Sequence, residues 1–185
     1  MSRLAAVLLY AGLQGVLLAG LARLLGDKRP LHDGRLSPNP LTHLSVWGAA
    51  IAALFGVSWI RSIWFDARQN RLGRPGLAVV TVGGLVAMVV AALLIGLIQP
   101  LAVFLPRTGS YTVLYVLEQF RLIAVSSIVL NILPVPGLIG GGLLQSLWPE
   151  RERQFRRAEP ICLAIIVAAI VAFGFPDVAA LNPFG

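Results

Sequence analysis

Long apolar runs separated by short polar and basic segments organise this chain. A membrane-spanning helix needs about 20 apolar residues, and several of these runs approach that length. We predict helices over Leu4–Leu25, Leu44–Phe65, Leu77–Phe104 with a bend near Pro100, Tyr111–Leu133 and Pro160–Phe175. Leu138–Trp148 has only about half of a spanning length, which predicts a re-entrant or half-inserted segment. The pattern therefore predicts an all-α polytopic membrane protein with about five transmembrane helices.

Composition agrees with a membrane location. Of the 185 residues, 57% are hydrophobic and 12% are charged, whereas soluble domains carry roughly 25% charged residues. The first apolar run is too long for the hydrophobic region of a signal peptide, which has about 7–15 residues. We therefore predict one integral membrane domain over residues 1–185, with a core at 4–148 and a C-terminal helix at 160–175.

The net charge of +7 comes from basic residues in the segments between apolar runs. That placement favours contact with anionic lipid over nucleic acid. The predicted lipid contacts are Arg61, Arg68, Arg71, Arg74, Arg151, Arg153, Arg156 and Arg157. A cytoplasmic amino terminus puts these arginines on the inner side and leaves Lys28, Arg29, Arg35 and Arg107 outside. The positive-inside rule then predicts a cytoplasmic amino terminus.

Two segments carry a more specific pattern. Asn131–Gly141 has the sequence NILPVPGLIGG, with prolines at Pro134 and Pro136. Leu36–Leu44, LSPNPLTHL, follows some ten residues after the pair Gly26-Asp27 that ends the first predicted helix. Together these segments resemble the site-2 protease family of intramembrane zinc metalloproteases, in its compact bacterial form. The resemblance covers roughly residues 4–148, in the order and approximate spacing of the family, and it implies a location in a bacterial inner membrane.

The resemblance implies a zinc site whose ligands are missing in this chain. In the family, two histidines of a first-helix HExxH motif bind zinc, and the glutamate between them is the general base. Those positions are Gln14, Gly15 and Leu18 here, and the position of the third ligand, an aspartate, is Ile139. The central Ala-Gly-Pro motif matches Val82-Gly83-Gly84 only in part. We therefore predict a degenerate member without zinc or another cofactor.

Several other polar residues are candidates for structural or binding roles. Gln14 and Asn131 lie in apolar helices, where each is expected to form an interhelical hydrogen bond, with the other as one possible partner. Glu118 and Arg121 are spaced i, i+3 and can pair on one helix face. His43 is expected to position the first loop against the helix ends.

A second interpretation of the loop histidines is a surface metal site. His32 and His43 could combine with Asp27 and Asp33, but the spacing of these residues is not that of known metal motifs. Two ordinary polar loop residues are the interpretation that we favour.

Three functions fit the sequence to different degrees. The favoured hypothesis is a catalytically inactive accessory subunit that binds other membrane proteins through small-residue faces such as Ala49–Gly56. The alternative is an intramembrane metalloprotease with a non-standard site. A small transporter or channel has less support, because the chain shows no inverted repeat and no series of intramembrane charges.

Overall fold

The computed structural model describes residues 2–104 and 106–176. In that part of the chain the regular elements are helices, and an isolated antiparallel bridge joins Leu44 to Ile60. The α-helices, numbered in chain order, are α1 (Ser2–Leu24), α2 (Arg29–His32), α3 (Pro40–His43), α4 (Val46–Phe55), α5 (Arg74–Ile98), α6 (Arg107–Asn131), α7 (Gly141–Leu147) and α8 (Glu152–Phe173). Two 3₁₀ segments, Gln99–Phe104 and Pro149–Arg151, follow α5 and precede α8.

Three helices are long and apolar enough to cross a membrane. They are Arg3–Leu24 in α1, Arg74–Ala102 beginning in α5, and Gly109–Asn131 in α6. These helices pack against one another around an apolar core that includes Leu18 and Phe120. The described chain is therefore all-helical with three candidate spans, fewer than the five or so that the sequence predicts.

The ends of α5 follow from its sequence. Gly73 precedes it with a φ of +64°, and Pro75 lies in its first turn, where a missing N–H costs no helical hydrogen bond. At the other end, the helix continues in 3₁₀ form from Gln99, next to Pro100. The change of helix type occurs where the sequence predicted a bend, because proline cannot donate a backbone hydrogen bond.

The prediction of one long helix over Leu44–Phe65 is wrong. α4 ends at Phe55, where Gly56 adopts a left-handed conformation with a φ of +71°, a common way for a helix to end. Residues 57–65 have no helical structure. The run Val57-Ser58-Trp59-Ile60 is rich in β-branched and aromatic side chains, which favour an extended backbone over a helix.

Residues 27–66 form a hairpin that folds back along α1. Its tip approaches the start of α1, where Arg3 Nη1 donates to the carbonyl oxygen of Ala53 at 3.0 Å. Its base lies at the opposite end of α1, where the N–H of Asp66 donates to Asp27 Oδ2 at 2.7 Å. The chain thus leaves the carboxyl end of α1, follows α1 back toward its start, and returns.

Basic segments that are distant in sequence meet at the carboxyl end of α1. We call this part of the bundle the arginine end, formed by residues 23–29, 66–74 and 149–157. Arg29 pairs with Asp66 at 3.4 Å and with Glu152 at 3.2 Å. Arg74 pairs with Glu150 at 3.6 Å. These ion pairs hold the first loop, the start of α5 and the start of α8 together.

The predicted separation of Lys28 and Arg29 from the later arginines is therefore wrong. It assumed that Leu44–Phe65 crosses the membrane, whereas the hairpin returns to the end from which it started. Arg35 lies within the hairpin and donates to the carbonyl oxygen of Ser62 at 3.3 Å. The charge argument for a cytoplasmic amino terminus consequently loses its basis.

α6 runs beside α1 and ends inside the bundle. Near the start of α1, Arg3 Nε donates to Gln119 Oε1 at 3.0 Å. Farther along, Asn131 at the end of α6 lies beside Tyr10, with its Nδ2 atom 3.4 Å from the tyrosine hydroxyl oxygen. Both helices therefore run toward the arginine end, but α6 stops before reaching it.

α7 continues this path beside α5. Gly142 packs so closely on Thr81 that a Cβ atom at Gly142 would overlap the threonine hydroxyl. Ser146 Oγ donates to the carbonyl oxygen of Arg74 at 2.9 Å. The segment Leu138–Trp148, predicted to be re-entrant or half-inserted, thus contains a short helix that leads from the end of α6 to the arginine end.

α8 begins earlier than the predicted Pro160–Phe175. Its charged first turns are helical, and Arg156 pairs with Glu152 at 2.7 Å across one turn. Pro160 is accommodated inside the helix. Farther along, Ile170 packs in a second apolar cluster that includes Trp59 and Leu138. This cluster joins α8 to the hairpin and to the loop after α6.

Candidate functional site

The positions that the motifs single out converge in the middle of the bundle. Gln14 is 1% exposed, and its Nε2 atom donates to the carbonyl oxygen of Gly84 on α5 at 3.2 Å. Leu18, one turn later, lies so close to Gly84 that a Cβ atom there would overlap its side chain. Leu18 and Ile139 line the same small cavity, of about 30 Å³. The three motif regions, at Gln14–Leu18, Gly84 and Ile139, therefore meet. Most of the side chains at the meeting point are apolar.

Asn131 holds two non-helical segments at this centre. Its Nδ2 atom donates to the carbonyl oxygens of Ser58 at 3.1 Å and Ser127 at 2.8 Å. Its Oδ1 atom accepts from the N–H of Ile139 at 3.2 Å. The carbonyl of Ser58 and the N–H of Ile139 lie outside helices, so both need a partner from another part of the chain. The buried amide side chain of Asn131 supplies a hydrogen-bond partner to both of these backbone groups.

The hydrogen bonds predicted for Gln14 and Asn131 exist, but not between the two residues. Gln14 bonds to α5, whereas Asn131 bonds to the hairpin and to the loop that contains Pro134 and Pro136. Gln14 Oε1 has no hydrogen-bond partner in the described residues. The two amides therefore link different elements.

His43 fills the space beside Gly15. The imidazole is fully buried, and a Cβ atom at Gly15 would overlap its ring. Its Nε2 atom lies 3.1 Å from the carbonyl oxygen of Ser37. A carbonyl can only accept, so Nε2 carries the proton and Nδ1 is an acceptor. Nδ1 has no partner in residues 2–104 and 106–176.

The burial of His43 changes its acid–base behaviour. Desolvation lowers the pKa of the imidazole below its ordinary value, and the positive charge of Arg35 acts in the same direction. The hydrogen bond to Ser37 opposes both effects and is the smaller influence than desolvation. The ring is therefore held in its neutral form at neutral pH. His43 positions its loop against the face of α1 at Gly15, whereas the sequence predicted a position against the helix ends.

The loop residues proposed for a surface metal site are not assembled into one. His43 is buried against α1, whereas His32 and Asp33 are exposed. Asp27 accepts backbone hydrogen bonds from Arg29 at 2.9 Å and Asp66 at 2.7 Å. In the described part of the chain, no three His, Cys, Asp or Glu side chains are grouped so as to hold a metal ion.

The predicted pair on α6 is present. Arg121 Nη1 lies 3.4 Å from Glu118 Oε2, and the same nitrogen donates to Gln99 Oε1 at 3.1 Å. The pair therefore ties α6 to the end of α5, near the start of α1. This supports a structural role.

Ser62 and Glu159 form a contact that the sequence did not single out. The serine hydroxyl donates to the carboxylate of Glu159 in a short hydrogen bond. Next to it, the guanidinium of Arg156 stacks 4.7 Å from the ring centre of Trp64. The position of Glu159 directly before an apolar run could have identified it in the sequence, because ionisable residues near membrane spans often have specific partners.

Comparisons with known proteins give no match: no family model, curated protein or solved structure is similar to this chain. The resemblance to site-2 proteases therefore rests on the order of the motifs in the sequence. The geometry adds that Gln14, Leu18 and Ile139 lie at one centre.

The contact between Gly15 and His43 predicts that the stability cost of a glycine-to-alanine substitution in α1 depends strongly on its position. Gly15→Ala forces the new methyl group into the imidazole and should lower the free energy of unfolding by about 1–3 kcal/mol, the usual cost of overpacking. The matched control is Gly20→Ala, because Gly20 lies on the same helix with open space around it. Alanine there should change stability by less than about 1 kcal/mol. Thermal unfolding in detergent measures both, and equal effects would contradict the contact.

The lowered pKa of His43 predicts a pH dependence of stability. The folded protein holds the imidazole neutral, whereas the unfolded chain protonates it near its ordinary pKa of 6.5. The contribution of His43 to the free energy of unfolding should be fully present above that value. It should decline as the pH falls toward the pKa of His43 in the folded protein, by up to about 1.4 kcal/mol per pH unit. Melting temperatures measured in detergent from pH 7.5 to 5.5 test this.

Two variants separate His43 from other acid-sensitive groups. His43→Gln keeps a nitrogen donor for the carbonyl of Ser37 but cannot titrate, so its pH dependence should be weaker. His32→Gln removes the exposed histidine and should behave like the unmodified protein. An unchanged pH profile in His43→Gln would rule out the imidazole as the source.

Proposed function

We propose that this protein is a catalytically inactive membrane scaffold with a site-2-protease-like core, and that it acts as an accessory subunit for other membrane proteins. One observation carries the proposal. The imidazole of His43 occupies the space beside Gly15, the position that corresponds to the general base, so a glutamate side chain has no room there. In addition, Gln14, Leu18 and Ile139 stand at the ligand positions, and leucine and isoleucine offer no donor atom to zinc.

The proposed location is the bacterial cytoplasmic membrane, with the arginine end toward the cytoplasm. The opposite end has Arg3 and the beginning of α6 at Arg107, whereas most of the remaining basic residues lie near the arginine end. The positive-inside rule favours the side richer in Lys and Arg as cytoplasmic. The amino terminus then faces away from the cytoplasm, which reverses the orientation proposed from the sequence alone.

The outward face of α4 is the proposed contact for a partner protein. Val46 is 80% exposed, Trp47 64% and Leu54 72%, and Ala50 and Ala53 lie between them on exposed positions. Ala52 is instead buried against the core, so only part of the predicted small-residue face is available. Small residues beside large apolar ones allow another helix to approach closely within a membrane.

Affinity purification in a mild detergent tests the scaffold function. We expect the unmodified protein to co-purify with at least one other integral membrane protein, and Ala50→Trp on the outward face of α4 should reduce the recovery of that protein. A substitution on the lipid-exposed face of α5, Val86→Trp, is the control and should leave it unchanged. A chain that purifies alone as a monomer would contradict the proposal, as would stoichiometric zinc in the purified protein.

Restoring the missing ligands tests the proposed origin of the core. Gln14→His, Leu18→His and Ile139→Asp together should bind about one zinc ion per chain, because three protein ligands suffice for an open zinc site. Gly15 is left unchanged to preserve its contact with His43. Metal analysis by mass spectrometry after dialysis measures the zinc.

The matched control moves one ligand along α1. Gln14→His, Leu17→His and Ile139→Asp introduces the same residue types, but position 17 projects from α1 in a different direction from Leu18. This control should retain much less zinc. Equal zinc in the two triple variants, or none in either, would argue against a shared ligand geometry at positions 14, 18 and 139.

A further inference from the structure

We propose that a groove at the arginine end binds the phosphate headgroup of an anionic phospholipid from the cytoplasmic leaflet. The groove encloses about 780 Å³ between the loop after the hairpin, the start of α5 and the start of α8. Phe65 and Leu77 line its inner part, and both are buried. It thus combines an apolar floor with a charged rim. The choice of leaflet rests on the orientation proposed above, but the binding itself does not depend on a partner protein.

The acidic residues of the rim are already neutralised. Asp66 and Glu152 pair with Arg29, and Glu150 pairs with Arg74. Glu152 also pairs with an arginine outside the groove, Arg156. No carboxylate that lines the groove is therefore left without a cation.

Two arginines remain available to a ligand. Arg68 and Arg153 line the groove from opposite sides, one on the loop and one on α8. Both are exposed, and neither side chain forms an ion pair within the described residues. A phosphate between them would accept charge-assisted hydrogen bonds from two guanidinium groups, the geometry for which arginine is well suited.

The start of α5 adds to the attraction for an anion. Gly73 and Arg74 line the groove, and no side chain caps the helix at Gly73. Pro75 has no N–H, and the N–H of Gly76 donates to the carbonyl oxygen of Gly73 at 3.2 Å. The attraction therefore comes from the macrodipole of α5, whose positive end favours an anion. The two arginines and the uncapped helix therefore act in the same direction.

The surroundings of the groove favour a lipid over a soluble anion. Pro149 lines the groove, and the two residues before it are apolar and exposed: Leu147 is 61% exposed and Trp148 43%. Tryptophan is enriched at the membrane–water interface. The charged rim thus lies at the start of the candidate membrane span Arg74–Ala102. A headgroup in the groove would place its acyl chains beside Leu147.

Native mass spectrometry with a phosphatidylglycerol titration tests this site. The unmodified protein should bind one phosphatidylglycerol molecule with a lower dissociation constant than one phosphatidylcholine molecule. Arg68→Gln with Arg153→Gln should weaken the binding of phosphatidylglycerol by about twenty-five-fold, since each arginine near an anionic headgroup contributes about a factor of five. The matched control is Arg151→Gln with Arg157→Gln, which removes the same charge from exposed positions outside the groove and should bind like the unmodified protein.

Three outcomes would overturn the proposal. Equal weakening in both double variants would mean diffuse attraction to basic residues. If both double variants bind phosphatidylglycerol as tightly as the unmodified protein, the groove is not the site. Thermal stabilisation by inorganic phosphate or by an acidic peptide equal to that by phosphatidylglycerol would identify a different class of ligand. The lipid measurement uses the purified chain alone. If that chain binds phosphatidylglycerol but co-purifies with no other protein, the lipid proposal stands and only the scaffold function is contradicted.

Discussion

Non-helical backbone inside a membrane protein needs hydrogen-bond partners from the protein itself, and Asn131 meets that requirement here. Each unsatisfied backbone group in hydrocarbon costs several kcal/mol. The hairpin and the loop after α6 both leave the helical pattern at the centre of the bundle, and the amide of Asn131 bonds to one group from each. Ser127 adds a second bond by accepting the N–H of Ser58 at 2.8 Å. The end of α6 therefore fixes two segments that could not hold their conformation alone.

The sequence predicted the long helices well and the hairpin poorly, for one physical reason. α1, α5 and α6 coincide within a few residues with continuous apolar runs, because an apolar run of spanning length has a helix as its simplest solution. Leu44–Phe65 has the same apolar content, but hydropathy carries no information on backbone conformation. The deciding signals were Gly56, which ends α4, and the β-branched and aromatic residues that follow it. The charge argument for the predicted orientation lost its basis with this one segment, because that argument depended on counting membrane crossings.

The centre of the candidate site was predictable from motif order, and its contacts were not. Gln14, Leu18 and Ile139 were identified together, and they lie together. In contrast, the burial of His43 beside Gly15 and the ion pair between Arg29 and Glu152 join residues from separate segments. Pairings of this kind leave no periodic trace in a single sequence. The groove at the arginine end has the same origin, because its arginines come together only when the hairpin returns to the end from which it started.

The contact between Gly15 and His43 also constrains how this protein can vary over time. A side chain at position 15 is compatible with the fold only if position 43 becomes smaller or its loop moves away, so neither change is tolerated easily before the other. The two positions should therefore covary among relatives, with bulk at one accompanied by a small residue at the other. For the same reason, a single substitution at position 15 could not place an acidic side chain on this face of α1. At least two coordinated substitutions, at positions 15 and 43, would be needed.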